Sequence, residues 1–406
     1  MKIGFIKEGK TPTDNRVALT PQQCAFVERL FPVTIVVEPS PIRCFKDSEF
    51  EEEGIILSEN LDNCDFLLGI KEVPIHQLIP NKTYFFFSHT IKKQAQNRPL
   101  LQAILEKNIT LIDYEVLTDD YNQRLIAFGK FAGMMGAHNG ILGYGLRKGA
   151  FTLPRMRDLD SYSEARVIYK QITLPPLSIV VSGSGRVAKG AMEVLLDLGI
   201  KKVAPTDFLV EKYNIPVFTQ IHPIDYVTRI DGEPFEKQDY YRDPSVFRST
   251  FAKFYRKTDV FINCIYYDKT APAFFSIEDM RQPDFRIKTI ADVSCDMMPH
   301  SSVPATVKSS TIAEPFYGFD PFKNGVADHP FLGNAITMMT IDNLPNELPR
   351  DASHYFGEQF IINILPELQT ILRGEKSKIL ERATIAQNGQ LKEKYQYLSD
   401  WVIGNE

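Results

Sequence analysis

With 406 residues, 46 Lys and Arg against 51 Asp and Glu, and a net charge of −5, the chain is long enough for two or three domains at roughly 100–200 residues each and too acidic for a polybasic nucleic-acid binder. Apolar residues make up 44% and charged residues 24%, close to the globular average, which excludes a disordered chain. No apolar run approaches the ~20 residues needed to cross a bilayer, Lys7, Glu8 and Lys10 interrupt what a secretory signal would keep apolar, and five sparse cysteines without CxxC spacing fit a reducing, cytoplasmic setting.

Short β-rich runs alternate with amphipathic stretches. In the N-terminal half, strands are expected at 2–6, 33–37, 66–70, 83–87 and 110–114, with Thr20 and Pro21 as the cap and first residue of a helix. Most of these runs are apolar on both parities, as in parallel strands covered on both faces. Three of them end in polar residues: 66–70 runs into Lys71 and Glu72, 83–87 into Ser88 and His89, and 110–114 into Glu115. Ligands of open α/β sheets bind beyond the carboxyl ends of the strands, so Lys71, His89 and Glu115 are expected to converge. Arg16, Lys92, Lys93 and Arg124 cluster around them in sequence, and arginine recognises carboxylates bidentately. An anionic substrate fits that set, as does an ordinary charged rim.

Between Ala127 and Arg147 the residues Gly129, Gly133, Gly136, Gly140 and Gly143 step by four and three. Each glycine costs a helix about 1 kcal/mol relative to alanine, so a helix here is expected to press that stripe against another backbone. Mixed charge, Pro154 and the pair Pro175–Pro176 then mark a linker or the entry to a second domain.

A second set of strands is expected at 178–181, 201–204, 260–265 and 288–293. The first leads into Gly183-Ser184-Gly185, with Ala188 at the third small position and a helical repeat of Ala191, Val194, Leu195 and Leu198 behind it. This is a dinucleotide turn in its strand–turn–helix setting. Gly183 permits the turn, Gly185 lets a pyrophosphate approach, and the helix N-terminus supplies amide donors. Asp207, 22 residues beyond Gly185, is placed at the end of the next strand, where it would bond the ribose hydroxyls and favour NAD over NADP. Arg186 and Lys189 lie close enough to work against that preference. The stretch 208–257, polar and weakly periodic, reads as an insertion or a set of surface excursions. A helical repeat over 351–373, interrupted by Pro366, is expected to pack on the first domain. The alternation as a whole predicts an α/β fold with two parallel sheets. No metal motif, P-loop or GxSxG elbow is present.

The segments NRVALTP (15–21), GIKEVP (69–74), KTYFFFSHTIKKQ (82–94), LIDYEVL (111–117), RLIAFGKFAGMMG (124–136), GSGRVAKGA (183–191), DVFINCIYY (259–267), IADVSCD (290–296) and IDNLPNELPRDAS (341–353) carry a family resemblance. The chain resembles the lysine–oxoglutarate reductase domain of aminoadipic semialdehyde synthase and the lysine-forming saccharopine dehydrogenases, within the wider alanine dehydrogenase and transhydrogenase superfamily. SHTIKKQ, LIDYE and IDNLP set that subfamily apart from alanine dehydrogenase. The resemblance implies an α/β fold of two Rossmann-like domains with parallel sheets flanking an interdomain cleft. Residues 1–146 plus 345–406 would form the substrate domain and 147–344 the dinucleotide domain.

The implied reaction is the NAD(P)-dependent interconversion of saccharopine with L-lysine and 2-oxoglutarate. Lys71 and His89 match the family's acid–base pair, and Arg16, Lys92 and Arg124 match positions that hold substrate carboxylates. Glu72 and Glu115 would temper that pair or bind the ammonium of the lysine moiety. Gly183, Gly185, Arg186, Ala188, Asp207 and Cys264 fall on the dinucleotide side, and Asp342 near the nicotinamide. NAD or NADP is the implied cofactor, NAD favoured through Asp207, with a small amino-acid or oxo-acid substrate and neither nucleic acid nor membrane as partner. The fungal enzymes carry a second cysteine in the glycine loop, opposite the one in FINCIY; Val187 stands there in this chain, so the pair is absent. The alternatives are a dehydrogenase of another opine-like secondary amine or of alanine, and a nucleotide-binding regulator that has lost catalysis. The last predicts loss of Lys71, His89 or Arg16, and all three are present.

Overall fold

The computed structural model describes residues 1–405. The chain divides into two compact units, the first made of Met1–Phe128 and the chain from Pro349 onward, the second of Gly129–Leu348. The first unit begins with β1 (Lys2–Phe5), β2 (Thr34–Val37), β3 (Ile56–Leu57), β4 (Phe66–Leu68), β5 (Thr83–Phe86) and β6 (Thr110–Asp113). The second contains β7 (Ser178–Ser182), β8 (Lys201–Val203), β9 (Val217–Ile221), β10 (Val227–Arg229), β11 (Phe247–Ser249), β12 (Val260–Asn263), β13 (Thr289–Asp292), β14 (Tyr317–Asp320), β15 (Gly325–Ala327) and β16 (Ile336–Met339). The chain then returns to the first unit with β17 (Thr384–Gln387) and β18 (Gln390–Leu391).

The first sheet runs β18-β17-β6-β5-β4-β1-β2-β3, parallel from β6 to β3 and closed at one edge by the antiparallel β17–β18 hairpin. Alternation along β5 explains its two-sided burial. Tyr84 and Phe86 enter one core with Leu67, Leu111, the Leu101 and Ile104 side of the Arg98–Glu106 helix, and Trp401. On the aromatic side of the sheet, Phe85 meets Tyr114, and Phe87 and Tyr114 meet Phe356. Phe356 comes from the tail, stacking on Phe128 at 4.5 Å. The tail helix splits into Pro349–Asn363 and Leu365–Leu372, with Pro366 in the first turn of the second piece, where its missing N–H costs nothing. Thr20 caps the Pro21–Leu30 helix through a reciprocal bond with Gln23. Gln23 Nε2 also donates to the His354 carbonyl at 2.8 Å, and Val17 N–H to Ser353 Oγ at 2.9 Å, which fastens the tail to the N-terminal segment.

The second sheet runs β15-β14-β16-β13-β12-β7-β9-β8, parallel from β8 to β16, with β14 and β15 antiparallel at the far edge. Two features differ from the sequence reading. The segment 208–257 is not only surface: it contains β9, an inner strand whose Val217, Phe218 and Ile221 are buried, followed by the small β10–β11 hairpin. Its polar Thr219 and Gln220 hide the strand pattern, because Thr219 spends its hydroxyl on the Val203 carbonyl at 3.0 Å.

The second difference is the boundary between units, which falls before the Gly129–Lys148 helix rather than after 146. The glycine stripe is the reason. A Cβ on Gly133 would lie 1.8 Å from the Val187 carbonyl oxygen, one on Gly136 2.3 Å from Val293, and one on Gly140 3.1 Å from Ala291. The helix is therefore embedded in the second unit, against the Arg186–Asp197 helix and the β13 end. Among the described residues no helix is long and apolar enough to cross a membrane.

Gly133→Ala tests that packing. In a free helix the change would stabilise by about 1 kcal/mol. Here the added carbon has no room, and a loss of roughly 1–3 kcal/mol is expected in urea unfolding. A variant as stable as the parent would show that the two helices can separate at no cost.

Candidate active site

In the first unit the carboxyl ends of β4, β5 and β6 place Lys71, Glu72, His89 and Glu115 together. His89 adopts a left-handed conformation (φ 52°) directly after β5, which turns the chain and brings its ring over Phe87, 6.4 Å away and stacked. Its Nδ1 lies 2.7 Å from Glu72 Oε1, and Lys10 Nζ lies 2.7 Å from Glu72 Oε2. Burial works to raise the Glu72 carboxyl, but His89 and Lys10 outweigh it and hold the group down at about 2. Glu72 is thus a fixed anion that accepts Nδ1–H, and the imidazole presents Nε2 as its basic nitrogen. Lys71 is pushed below the ordinary lysine value, by burial first and then by Arg16 and Lys10. Among the described residues no carboxylate forms an ion pair with its ammonium.

The cations are held by the chain's own carboxylates. Lys92 Nζ and Arg124 Nη2 share Glu115 Oε1 at 2.9 and 3.1 Å. Burial opposes ionisation of Glu115, and Lys92 and Arg124, with a smaller contribution from His89, keep it below its usual value. Arg16 is buried, lies 4.0 Å over the Phe128 ring, and gives its Nε and Nη2 to Asp14 at 2.9 and 2.5 Å. The bidentate edge expected to take a substrate carboxylate is therefore engaged by Asp14. Below the sheet ends, Asp113 accepts the Ser88 and Glu115 amides at 3.0 and 2.7 Å and the Ser88 hydroxyl, which ties the β5 and β6 exits together.

One residue here was missed in the sequence. Glu8, just past β1, accepts the amides of Ile70 at 2.6 Å and Lys71 at 3.0 Å. Burial first and Asp14 next push its carboxyl up to about 8, against the pull of those amides and Arg16. The only signal was a carboxylate at the end of the central strand.

In the second unit Gly183 has φ +91°, and a Cβ there would stand 2.8 Å from the Cys264 carbonyl oxygen. A Cβ on Gly185 would point into open space, the room a pyrophosphate needs in front of the Arg186–Asp197 helix. Ala188 is buried on the inner side of that helix. A cavity of about 590 Å³ opens beside the turn, lined by Gly183, Gly185, Tyr226, Tyr241, Cys264 and Tyr266 among others. Its size and aromatic walls fit an adenosine moiety. Arg186 lies at the start of the helix, with its Cβ towards Gly129. The Cys264 thiol is pushed up by burial and by Asp292, which makes it a poor nucleophile. Asp342 is exposed, and its charge, after burial and Asp292, helps push the Cys295 thiol up to about 12.

Asp207 departs from its expected place. It is the third residue of a short helix, Pro205–Val210, not the end of a strand, and β8 before it lies outside β9 rather than beside β7. A network that the sequence reading did not single out ties the strand ends. Ser182 Oγ donates to Asn263 Oδ1 at 2.8 Å, Asn263 Nδ2 to Asp292 Oδ1 at 2.9 Å, and Thr306 Oγ1 to Asp292 Oδ2 at 2.6 Å. Its signal was a polar residue closing each of three apolar runs.

Residues 4–135 match the family of alanine dehydrogenase/PNT N-terminal domains. The alpha-aminoadipic semialdehyde synthase of Arabidopsis thaliana is 31% identical over 98% of this chain and 41% of its own length. The mitochondrial synthase of Rattus norvegicus is 29% identical over 97% of this chain and 47% of its length. The saccharopine dehydrogenase [NAD(+), L-lysine-forming] of Candida glabrata is 26% identical over 94% of this chain and 95% of its own. The chain is a homologue of these synthases and dehydrogenases. It spans less than half the length of the synthases. An L-alanine dehydrogenase shares its fold, with a TM-score of 0.64 at 14% identity over 99% of this chain and all of the other. A transhydrogenase from Sinorhizobium meliloti does so with a TM-score of 0.59 at 12% identity over 96% of this chain and all of the other.

The raised Glu8 carboxyl gives a pH test. A carboxyl raised in the folded chain keeps its proton after the unfolded chain has released it. Its contribution to stability is therefore full below the ordinary value of 4.5 and is lost as pH climbs towards about 8. Glu8→Gln keeps an acceptor for one of the two amides, loses the other at a cost that does not vary with pH, and cannot ionise. In thermal scans, the melting temperature of the variant relative to the parent is expected to rise steadily from about pH 5 to about pH 8. A difference that does not change with pH would show that Glu8 does not titrate in that window.

Proposed function

We propose that this chain is an NAD(P)-dependent oxidoreductase of the saccharopine dehydrogenase or lysine–oxoglutarate reductase type, interconverting saccharopine with L-lysine and 2-oxoglutarate. The carrying observation is the His89–Glu72 pair beside Lys71 at adjoining strand ends, with Lys92 and Arg124 gathered on Glu115. Support comes from homologues named for saccharopine and aminoadipic semialdehyde chemistry, and from a glycine turn with space for a pyrophosphate.

The nicotinamide, when bound, supplies the acceptor for a hydride from the carbon bearing the secondary amine. The remaining proton transfers call for two groups of the protein. As the C–H electron pair leaves, the amine nitrogen uses its lone pair to form the imine, and a base takes its proton. Water then adds to the imine carbon and loses a proton, and the carbinolamine gives up its hydroxyl proton to form the 2-oxo acid's C=O as the C–N bond breaks, with a proton delivered to the leaving lysine nitrogen. Lys71, in its neutral form, and His89 Nε2 are suited to these transfers. One has a depressed value, and the other has its tautomer set by Glu72. Lys92 and Arg124 are placed to attract the substrate's carboxylates while sharing Glu115. More than one cation favours a polycarboxylate substrate over alanine.

An assay following nicotinamide oxidation with lysine plus 2-oxoglutarate should give turnover. Signal only with alanine chemistry would reject the saccharopine reading. His89→Gln is expected to lose turnover by roughly 10²–10⁴-fold while dinucleotide affinity stays unchanged. A fully active variant would remove His89 from the mechanism.

A further inference from the structure

The first sheet carries a cavity at the end remote from the catalytic side chains. Phe66, Thr83 and Thr110, which open β4, β5 and β6, stand opposite one another in register and so share one face of the sheet. Lys71, His89 and Glu115 follow the other ends of these strands. Past the Leu365–Leu372 helix the tail folds back towards β17, and a space of about 360 Å³ is left between tail and sheet. Phe66 and Ile112 line it from the sheet, Leu372 and Leu380 from the tail. Its volume falls among small-ligand pockets, about 300–1,000 Å³. The polar groups on its wall are unengaged. Among the described residues, the Thr83 and Thr110 hydroxyls have no protein partner, Glu381 has no paired cation and Lys376 no paired carboxylate. Lys392 Nζ holds the Gln387 amide oxygen at 3.3 Å. Elsewhere in this unit opposite charges that share a site close on each other, as Lys10 does on Glu72, Lys92 on Glu115, and Arg382, next to Glu381, on Asp120 at 2.8 Å. Here a carboxylate and two ammoniums line one apolar space without pairing. Half-buried threonines and surface charges are ordinary singly; together around an apolar space they are the complement of a ligand with two charged ends.

We propose that this cavity is a second ligand site, separate from the catalytic end, and that it takes a free amino acid with an apolar side chain. The side chain lies between Phe66, Ile112 and the two leucines. The ammonium has three donors, for Glu381 and the threonine hydroxyls, and the carboxylate accepts from Lys376 and Lys392. Such a ligand is distinct from the substrates of the reaction above: lysine, 2-oxoglutarate and saccharopine each carry a further charge at the end of the chain. The inference therefore goes beyond that reading and does not depend on it.

Isothermal titration of the full chain with L-leucine tests this. Saturable binding is expected. The analogue without the ammonium, 4-methylpentanoate, and the one without the carboxylate, 3-methylbutylamine, should each bind weaker by roughly tenfold, the effect of losing a hydrogen bond to a charged group. Glu381→Gln should weaken leucine by a similar factor, and so should Lys376→Met combined with Lys392→Met. His89→Gln should bind leucine as the parent does. Absence of leucine binding, an analogue that binds as well as leucine, or undiminished binding to either cavity variant would overturn the proposal. Loss of leucine binding in His89→Gln would place the ligand at the catalytic end and overturn it as well. None of these outcomes touches the assay with lysine and 2-oxoglutarate, so the two readings fail separately.

Discussion

Nothing but backbone separates the Gly129–Lys148 and Arg186–Asp197 helices where they cross. Each supplies a glycine where the other's carbonyl arrives: Gly133 faces the Val187 oxygen, and Gly190 faces that of Lys130, where a Cβ would come within 1.9 Å. Val187 belongs to the first turn of the helix that opens at the glycine turn. The crossing therefore fixes where that helix begins and which way its first amides point. The flanking Lys130–Glu193 bridge, at 2.8 Å, is partly exposed and adds little. Six glycines weaken the first helix intrinsically, and what offsets this is its seat against the second helix and the β13 end. The phosphate-facing geometry of the second unit depends on that contact.

The first unit is governed by charge balance rather than close approach. A net charge of −5 says nothing of its local arrangement. At the strand ends Asp14, Glu72 and Glu115 each hold cations, and the two glutamates whose values fall do so against the cost of burial. Removing one partner from such a set leaves a charge uncompensated, a larger penalty than the pair's own worth. Lys71 stands apart: burial, then the charges of Arg16 and Lys10, hold its ammonium below the ordinary lysine value.

Much of this was legible in the sequence. The parallel strands announced themselves through apolar runs on both parities, and Lys71, His89 and Glu115 through their place at the ends of those runs. The glycine stripe announced a backbone contact by its spacing alone. What stayed hidden had physical reasons. β9 carries Thr219 and Gln220, polar residues whose partners, the Val203 carbonyl of β8 and the Gly183 carbonyl of the glycine turn, lie far off in sequence and cannot be read locally. β17 and β18 join the sheet antiparallel after a long excursion through the other unit, and sequence distance gives no hint of that return. Glu8 matters through two amides more than sixty residues away.

The route of the chain through the second sheet has a consequence for reading such sequences. From β7 the chain goes first to the sheet edge at β8 and only then turns inward to β9. An extra βα step thus lies between the glycine turn and the strand that flanks it, and Gln220 comes 35 residues after Gly185, against about 20 in the simpler winding. A pattern that inspects a fixed offset lands on an outer helix in any chain wound this way. The informative offset is set by strand order, a property of the whole sheet.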